Sequence, residues 1–438
     1  SKMRVLPALL WTALMLTTVG GNKAESADEF DRPPIRYRES APANPVAELQ
    51  GKLQRGEAQL AYDSQFGYLP SLLRALRIPT ESQMLVFSKT SLQLRRISPK
   101  APRAIYFNDH VYVGYCQSGD VLELSVADPQ LGAVFYTLQQ QESDQPTLQR
   151  DLDNCLICHA SSRTDSIPGH LVRSLFVDPS GQPIFSAGSQ MVDHTTPLEK
   201  RWGGWYVTGK HGKQTHLGNL LAPRNVAPRL VDNSAGQNVT DLSDRLDVDE
   251  YLTPHSDIVA LMVLEHQTLV HNRLTKANFA TRQALAYEAG FNQALGDPET
   301  NRLESTTRRI KHAGDELIEA LLLVDEIELT EPISGTSGYA EMFSAQGPRD
   351  SKQRSLRELD LKRRLFKYPC SYLIYSDSFD SLPPELLEYV WRQLWEILTA
   401  REPYEGFEHL SPADRQNVLD IVRETKGNLP DYWTAEAK

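Results

Sequence analysis

Residues 155–159 read Cys-Leu-Ile-Cys-His, inside the stretch DLDNCLICHASSRTDSIPGH. Two thiols three positions apart, with an imidazole beside the second, have three chemical uses. They ligate zinc, cycle between dithiol and disulfide, or anchor a haem by two thioether bonds. The C-x-x-C-H spacing is that of covalent haem attachment. Each thiol adds to one vinyl group of the porphyrin, and the adjoining histidine then sits under the iron. Zinc is the first rival. His211 and His216 in HGKQTH have H-x4-H spacing, but more than fifty residues separate them from the cysteines, against about a dozen in a zinc finger. A thioredoxin-like pair is the second rival and needs a βαβ context with the pair opening a helix. The polar segment QQQESDQPTLQRDLDN before the motif does not supply it.

In Cys155, Cys158 and His159 the chain resembles the c-type cytochromes. The resemblance implies one covalent haem c, held by Cys155 and Cys158, with His159 as an axial ligand of the iron. It covers few residues. A single motif in the middle of 438 residues is not the layout of a small cytochrome c. Stretches such as RWGGWYVTG and RLFKYPCSYLIYS are similar to large exported bacterial proteins that carry one haem motif.

The second axial ligand has several candidates: Met191, His170, His194, His211, His216 and His266. Met191 and His194 lie in GSQMVDHTTP, 30 to 35 residues beyond His159. His194 is preferred, because Asp193 beside it suits an orienting partner for an imidazole. His159 and His194 are therefore the expected metal ligands. Arg163, Arg173 and Arg201 are candidate partners for haem propionates. Trp202, Trp205 and Tyr206 in WGGWY read either as an electron relay or as an aromatic strand on a core. His266 and His271 are five apart on a helical stretch, so they face different ways and form no helical metal pair.

These residues need a frame. The length allows two or three domains, and 40% apolar with 24% charged residues is ordinary for a globular chain. A net charge of −11 argues against a general nucleic-acid binder. MRVLPALLWTALMLTTVGG has the positive start, apolar run and small residues of a signal peptide, expected over 1–21. Export to the periplasm or beyond follows, with no integral membrane span after cleavage. Residues 22–47, charged and proline-rich, read as a linker or extended arm. Short β-branched and aromatic runs between 84 and 140 read as strands, and HLVRSLFVDPSGQPIFSAG as strand, turn and strand. RWGGWYVTGKHG suggests a further strand ending in a glycine turn. From about residue 253 apolar positions recur at helical spacing, with Ser256 or Asp257 as cap. The expected class is α+β: a β-rich haem-bearing region over 48–250, then an α-helical region over 251–438. Cys116 and Cys370 remain, either as a disulfide or as two buried thiols.

Three functions fit. The first is an exported monohaem cytochrome in electron transfer with a redox partner protein. The second is a haem-dependent oxidoreductase of peroxidase type, with an open iron position and a small-molecule substrate. The third is a haem-based sensor or binding module, because strand-turn-strand after the motif is similar to haem-bearing PAS-like domains.

Overall fold

The structure, a computed structural model, describes residues 28–434. The expected signal peptide and residues 22–27 of the arm lie outside the described residues.

Alternation of apolar and polar residues builds an antiparallel sheet in chain order: β1 (Met84–Val86), β2 (Arg103–Phe107), β3 (Val111–Tyr115), β4 (Val121–Asp128), β5 (Gly132–Gln139) and β6 (Leu148–Asp151). A period of two sends neighbouring side chains to opposite faces. In β4, Leu122, Leu124 and Val126 enter one core, while Glu123 and Ser125 turn to the other face. The register pairs Gly114 with Glu123, and Ser125 with both Tyr112 and Phe135. Arg103, Ile105, Tyr112, Gly114, Glu123, Ser125 and Phe135 thus share one face. This face is the floor of the site.

The opposite face is covered by the N-terminal segment. Phe30, Ile35 and Tyr37 are buried in its core with α1 (Pro45–Gln54) and α2 (Leu69–Ala75). The Tyr37 hydroxyl donates to the carbonyl of Ala133 at 2.8 Å. Arg150 donates to the carbonyls of Tyr37 and Ser40 at 2.7 and 2.9 Å. The described part of the expected linker is therefore fixed structure rather than free arm. Its three apolar residues stand apart among charges, a spacing with no helical or strand period.

After β6 comes one helical turn, α3 (Leu156–His159), and then a two-stranded pair, β7 (Arg173–Leu175) with β8 (Ser189–Met191). RWGGWYV forms no strand. Trp202 and Gly204 take φ of 68° and 87°, and the amide of Trp205 donates to the carbonyl of Trp202 at 3.0 Å. Gly203 lies where a Cβ would come within 2.6 Å of the Leu175 carbonyl oxygen. The glycine pair turns the chain tightly against β7.

The second half is helical. It comprises α4 (Ile258–Leu295), α5 (Glu304–Leu321), α6 (Tyr339–Ala345), α7 (Asp377–Asp380), α8 (Pro384–Thr399) and α9 (Pro412–Thr425). Asp257 caps α4, accepting from the amides of Val259 and Ala260, and Ser411 with Asp414 closes a capping box on α9. The 38-residue α4 is the axis of the molecule. Its first turns pack in one core with Met84 and Val86 of β1, with Trp202 and Trp205, and with α5, α6 and α8. The sheet-bearing and helical parts therefore share a core across residue 250. Among the described residues, no helix is long and apolar enough to cross a membrane.

Candidate haem-binding site

Asp151, the last residue of β6, positions the cysteine motif. One of its carboxylate oxygens accepts from the amides of Asp153 and Cys155 at 3.1 and 3.0 Å. The other accepts from Asn154 at 3.0 Å. That turn starts the single helical turn of α3, where the amide of His159 reaches the carbonyl of Cys155 at 3.0 Å. The chain then doubles back. Thr164 donates to the carbonyl of Ile167 at 2.8 Å, and the amide of Gly169 to the carbonyl of His159 at 2.8 Å.

His159 Nδ1 lies 2.9 Å from the carbonyl oxygen of Gly169. A carbonyl oxygen only accepts, so Nδ1 carries the proton and donates. The lone pair is then on Nε2, which has no hydrogen-bond partner among the described residues. A neutral imidazole fixed at Nδ1 by a backbone carbonyl is the form that ligates a metal through Nε2. Burial pushes the His159 pKa below the ordinary histidine range, which keeps that lone pair free.

Cys155, Cys158 and His159 share the wall of one pocket of about 560 Å³, a volume within the usual range for cofactor sites. The sheet face is its floor. Its walls are largely apolar, with Leu171, Val172 and Trp205 among them. Leu92, Leu94, Ile157 and Phe185 line it too, and these four are 45–76% exposed at its mouth. Exposed apolar side chains gathered round a cavity mark a ligand groove.

The residues fit a covalent haem. Both thiols and the imidazole line the same largely apolar space. Arg173 lines the pocket with a buried Nε–H that has no partner, so a donor is free for a propionate. Gly114 leaves the floor low. The thiol of Cys155 is pushed up to about 12, first by burial and then by Asp151. A redox dithiol needs the reverse, a thiol with depressed pKa.

Most of the other candidate axial ligands go elsewhere. His170 does line the pocket. Its Nδ1 is 3.0 Å from the Ser125 hydroxyl, its ring packs on Tyr112, and its buried Nε2 has no partner. His194 is not in the pocket. It faces a cavity of about 10 Å³ with Arg201 and Glu326, and its Nδ1 lies 3.1 Å from Nδ1 of His266. Asp193 makes no hydrogen bond to the His194 ring; one of its oxygens accepts from the amide and hydroxyl of Thr195 at 2.8 and 2.7 Å. His266 is tied on its other nitrogen to Ser371 at 2.8 Å. His211 and His216 pack on each other at 4.7 Å, with Trp202 against His216. Among the described residues, no three His, Cys, Asp or Glu side chains gather as a metal-ion cluster, so the cysteines and the H-x4-H pair do not assemble a zinc site. Met191 ends β8, outside the pocket lining.

Of the three candidate arginines Arg163, Arg173 and Arg201, only Arg173 reaches the pocket. Arg163 is exposed and outside the pocket lining, and Arg201 is buried in an ion pair with Glu265 at 2.7 Å. WGGWY divides likewise. Trp205 is a pocket wall, and its Nε1 donates to the Arg173 carbonyl at 2.8 Å. Trp202 donates to Glu265, and Tyr206 to the Pro99 carbonyl at 2.7 Å. Cys116 and Cys370 are free, buried thiols, one after β3 and one in the helical core.

Sequence reasoning missed Arg103 and Glu123. They form an ion pair at 2.8 Å on the pocket floor. A signal was present: in VLELSV, Glu123 is a charge on the second face of an otherwise well-alternating strand. No family model, no curated protein and no solved structure matches this chain.

Proposed function

We propose that this chain is a monohaem c-type protein of extracytoplasmic redox chemistry, with electron transfer as its main role. Cys155 and Cys158 hold the haem by thioether bonds and His159 is an axial ligand. The observation that carries this reading is a coincidence in space. The three motif residues line the same cofactor-sized apolar pocket, and the His159 proton is fixed at Nδ1 by Gly169. When bound, the haem iron supplies a one-electron couple whose potential depends on axial ligation and burial.

The chain's own residues do the rest. The sheet floor and Trp205 exclude water from one side. Arg173 offers a donor to a propionate. Ile157 and Cys158, both exposed, place the attachment edge at the surface, where a redox partner protein can approach. A second reading, an open-site oxidoreductase of peroxidase type, is favoured by one observation. Apart from His159 and His170, no histidine or methionine lines the pocket among the described residues.

The test is production with a haem-maturation system, followed by denaturation. Haem is expected to stay on the polypeptide of the parent protein and to be lost in the double variant C155A/C158A. Four free thiols and no bound haem after denaturation would overturn the proposal.

A further inference from the structure

We propose that the exposed face of the last turns of α4 binds a second copy of this chain, α4 against α4 in antiparallel sense about a two-fold axis. The inference stands apart from the haem reading, and none of the residues that carry it lines the pocket of Cys155 and His159.

The solvent side of a surface helix is normally polar. Over residues 283–295 that of α4 is not. Tyr287, Phe291 and Leu295 recur at every fourth position and are 60%, 40% and 62% exposed. A spacing of four keeps them on one ridge. The rings of Tyr287 and Phe291 stack at 6.1 Å. Ala286, Gly290 and Ala294, exposed as well, form the row beside that ridge. The one charged residue in this span, Glu288, is buried and paired with Arg302 at 3.2 Å. A contiguous apolar face of this kind marks a contact with another surface.

Fit and charge together select the occupant. A ridge of large side chains beside a row of small ones complements itself: turned end for end, the ridge of one copy enters the row of the other. A two-fold axis at Phe291 sets Tyr287 of one copy against Leu295 of the other, and residue 297 against residue 285, each six positions from 291. At the residue 285 end, Gln283, Ala286 and Tyr287 line a groove that also holds Arg32, Arg309 and Glu29. Both arginines are exposed, and neither is in an ion pair among the described residues. At the other end Asp297 and Glu299 are exposed and equally without an ion pair. The amide of Asp297 donates to the carbonyl of Asn292 at 2.9 Å, which folds it back on the last turn. Antiparallel pairing therefore sets two free guanidiniums against two free carboxylates at each end. Parallel pairing would set like charges together, and an anionic lipid surface would meet Glu29, Asp297 and Glu299. The face is about 20 Å long on a single helix. That is too narrow for the roughly 800 Å² per partner of a standard interface, so the dimer is reversible.

The experiment is sedimentation velocity of the full chain, and of the chain from residue 22 that signal removal would leave, between about 1 and 200 μM. Both are expected to dimerise, with a dissociation constant on the order of 10 μM. F291K is expected to abolish the dimer over that range while keeping the parent circular dichroism spectrum and unfolding midpoint. R309E and D297R are each expected to weaken it by about 10-fold, and R309E/D297R, which exchanges the two signs, to recover to within about 3-fold of the parent. That recovery is specific to antiparallel pairing of two identical faces. A monomer at every concentration in both forms would overturn the proposal, and binding of that monomer to anionic phospholipid vesicles would assign the face to a lipid surface instead. A dimer in the shortened chain alone would assign the face to residues 1–21 of the full chain and overturn it too. A parent dimer that F291K leaves intact, or that the double charge exchange does not restore, would place the interface elsewhere.

Discussion

Arg201 and Glu265 are both shut off from water, at 2% and 0% side-chain exposure. Glu265 also accepts from the indole of Trp202, and Arg201 donates to the carbonyls of Thr196 and His194 at 2.7 and 3.2 Å. This pair ties the loop before WGGWY to α4. It explains why Arg201 and His194, both read from sequence as haem-site candidates, are structural. Polar side chains in the middle of a soluble chain look alike in sequence whether they serve a cofactor or each other. Only Glu265, more than sixty residues away, decides between the two for Arg201. Removing one partner of a buried pair strands the other charge. E265Q is therefore expected to lose about 3–5 kcal/mol of stability, read by denaturant unfolding. A loss below about 1 kcal/mol would contradict the pair's place in the core.

At the scale of elements, β1 to β5 were legible because each carries its alternation locally, whereas β6 lies in a segment that reads as polar, β8 falls just beyond the expected strand-turn-strand, and RWGGWYV forms a turn. β4 and β5 and the capped helices α4 and α9 lie where their apolar period and cap residues put them. The site itself was legible only in its motif. Its floor comes from four strands whose register is not written in any one of them, so Arg103, Gly114 and Glu123 could not be assembled from the sequence. Gly114 is the one residue of that floor without a side chain. A Cβ there would meet Arg103 and Glu123 at 3.6 and 3.7 Å, ordinary contact for the backbone, but a longer side chain would stand in the pocket. G114L is expected to fold, with an unchanged circular dichroism spectrum, and to incorporate haem poorly. Full haem loading in G114L would place the haem elsewhere.

Across the whole molecule, burial holds several imidazoles neutral. Desolvation pushes His194 and His271 down to about 4, His216 to about 3, and His170 and His266 well below the ordinary range. Burial also pushes Glu265 and Glu326 up to about 7. The two sets act in opposite senses. The histidines' contribution is complete above pH about 6.5 and is lost as pH falls, since the unfolded chain binds protons that the fold refuses. The carboxyls' contribution is complete below pH about 4.3 and is lost as pH rises through 7. The imidazoles outnumber the carboxyls, so unfolding free energy is expected to fall between pH 7 and pH 5. A flat or rising profile over that range would contradict it. The histidines that looked like spare ligands in the sequence are, in the fold, mostly part of this buried set.

Covalent haem attachment at Cys155 and Cys158 is tested most directly by the intact mass of protein matured with haem and then unfolded in denaturant. A mass raised by one haem, and not raised in C155A/C158A, is the expected result. An unmodified mass with four titratable thiols would contradict it.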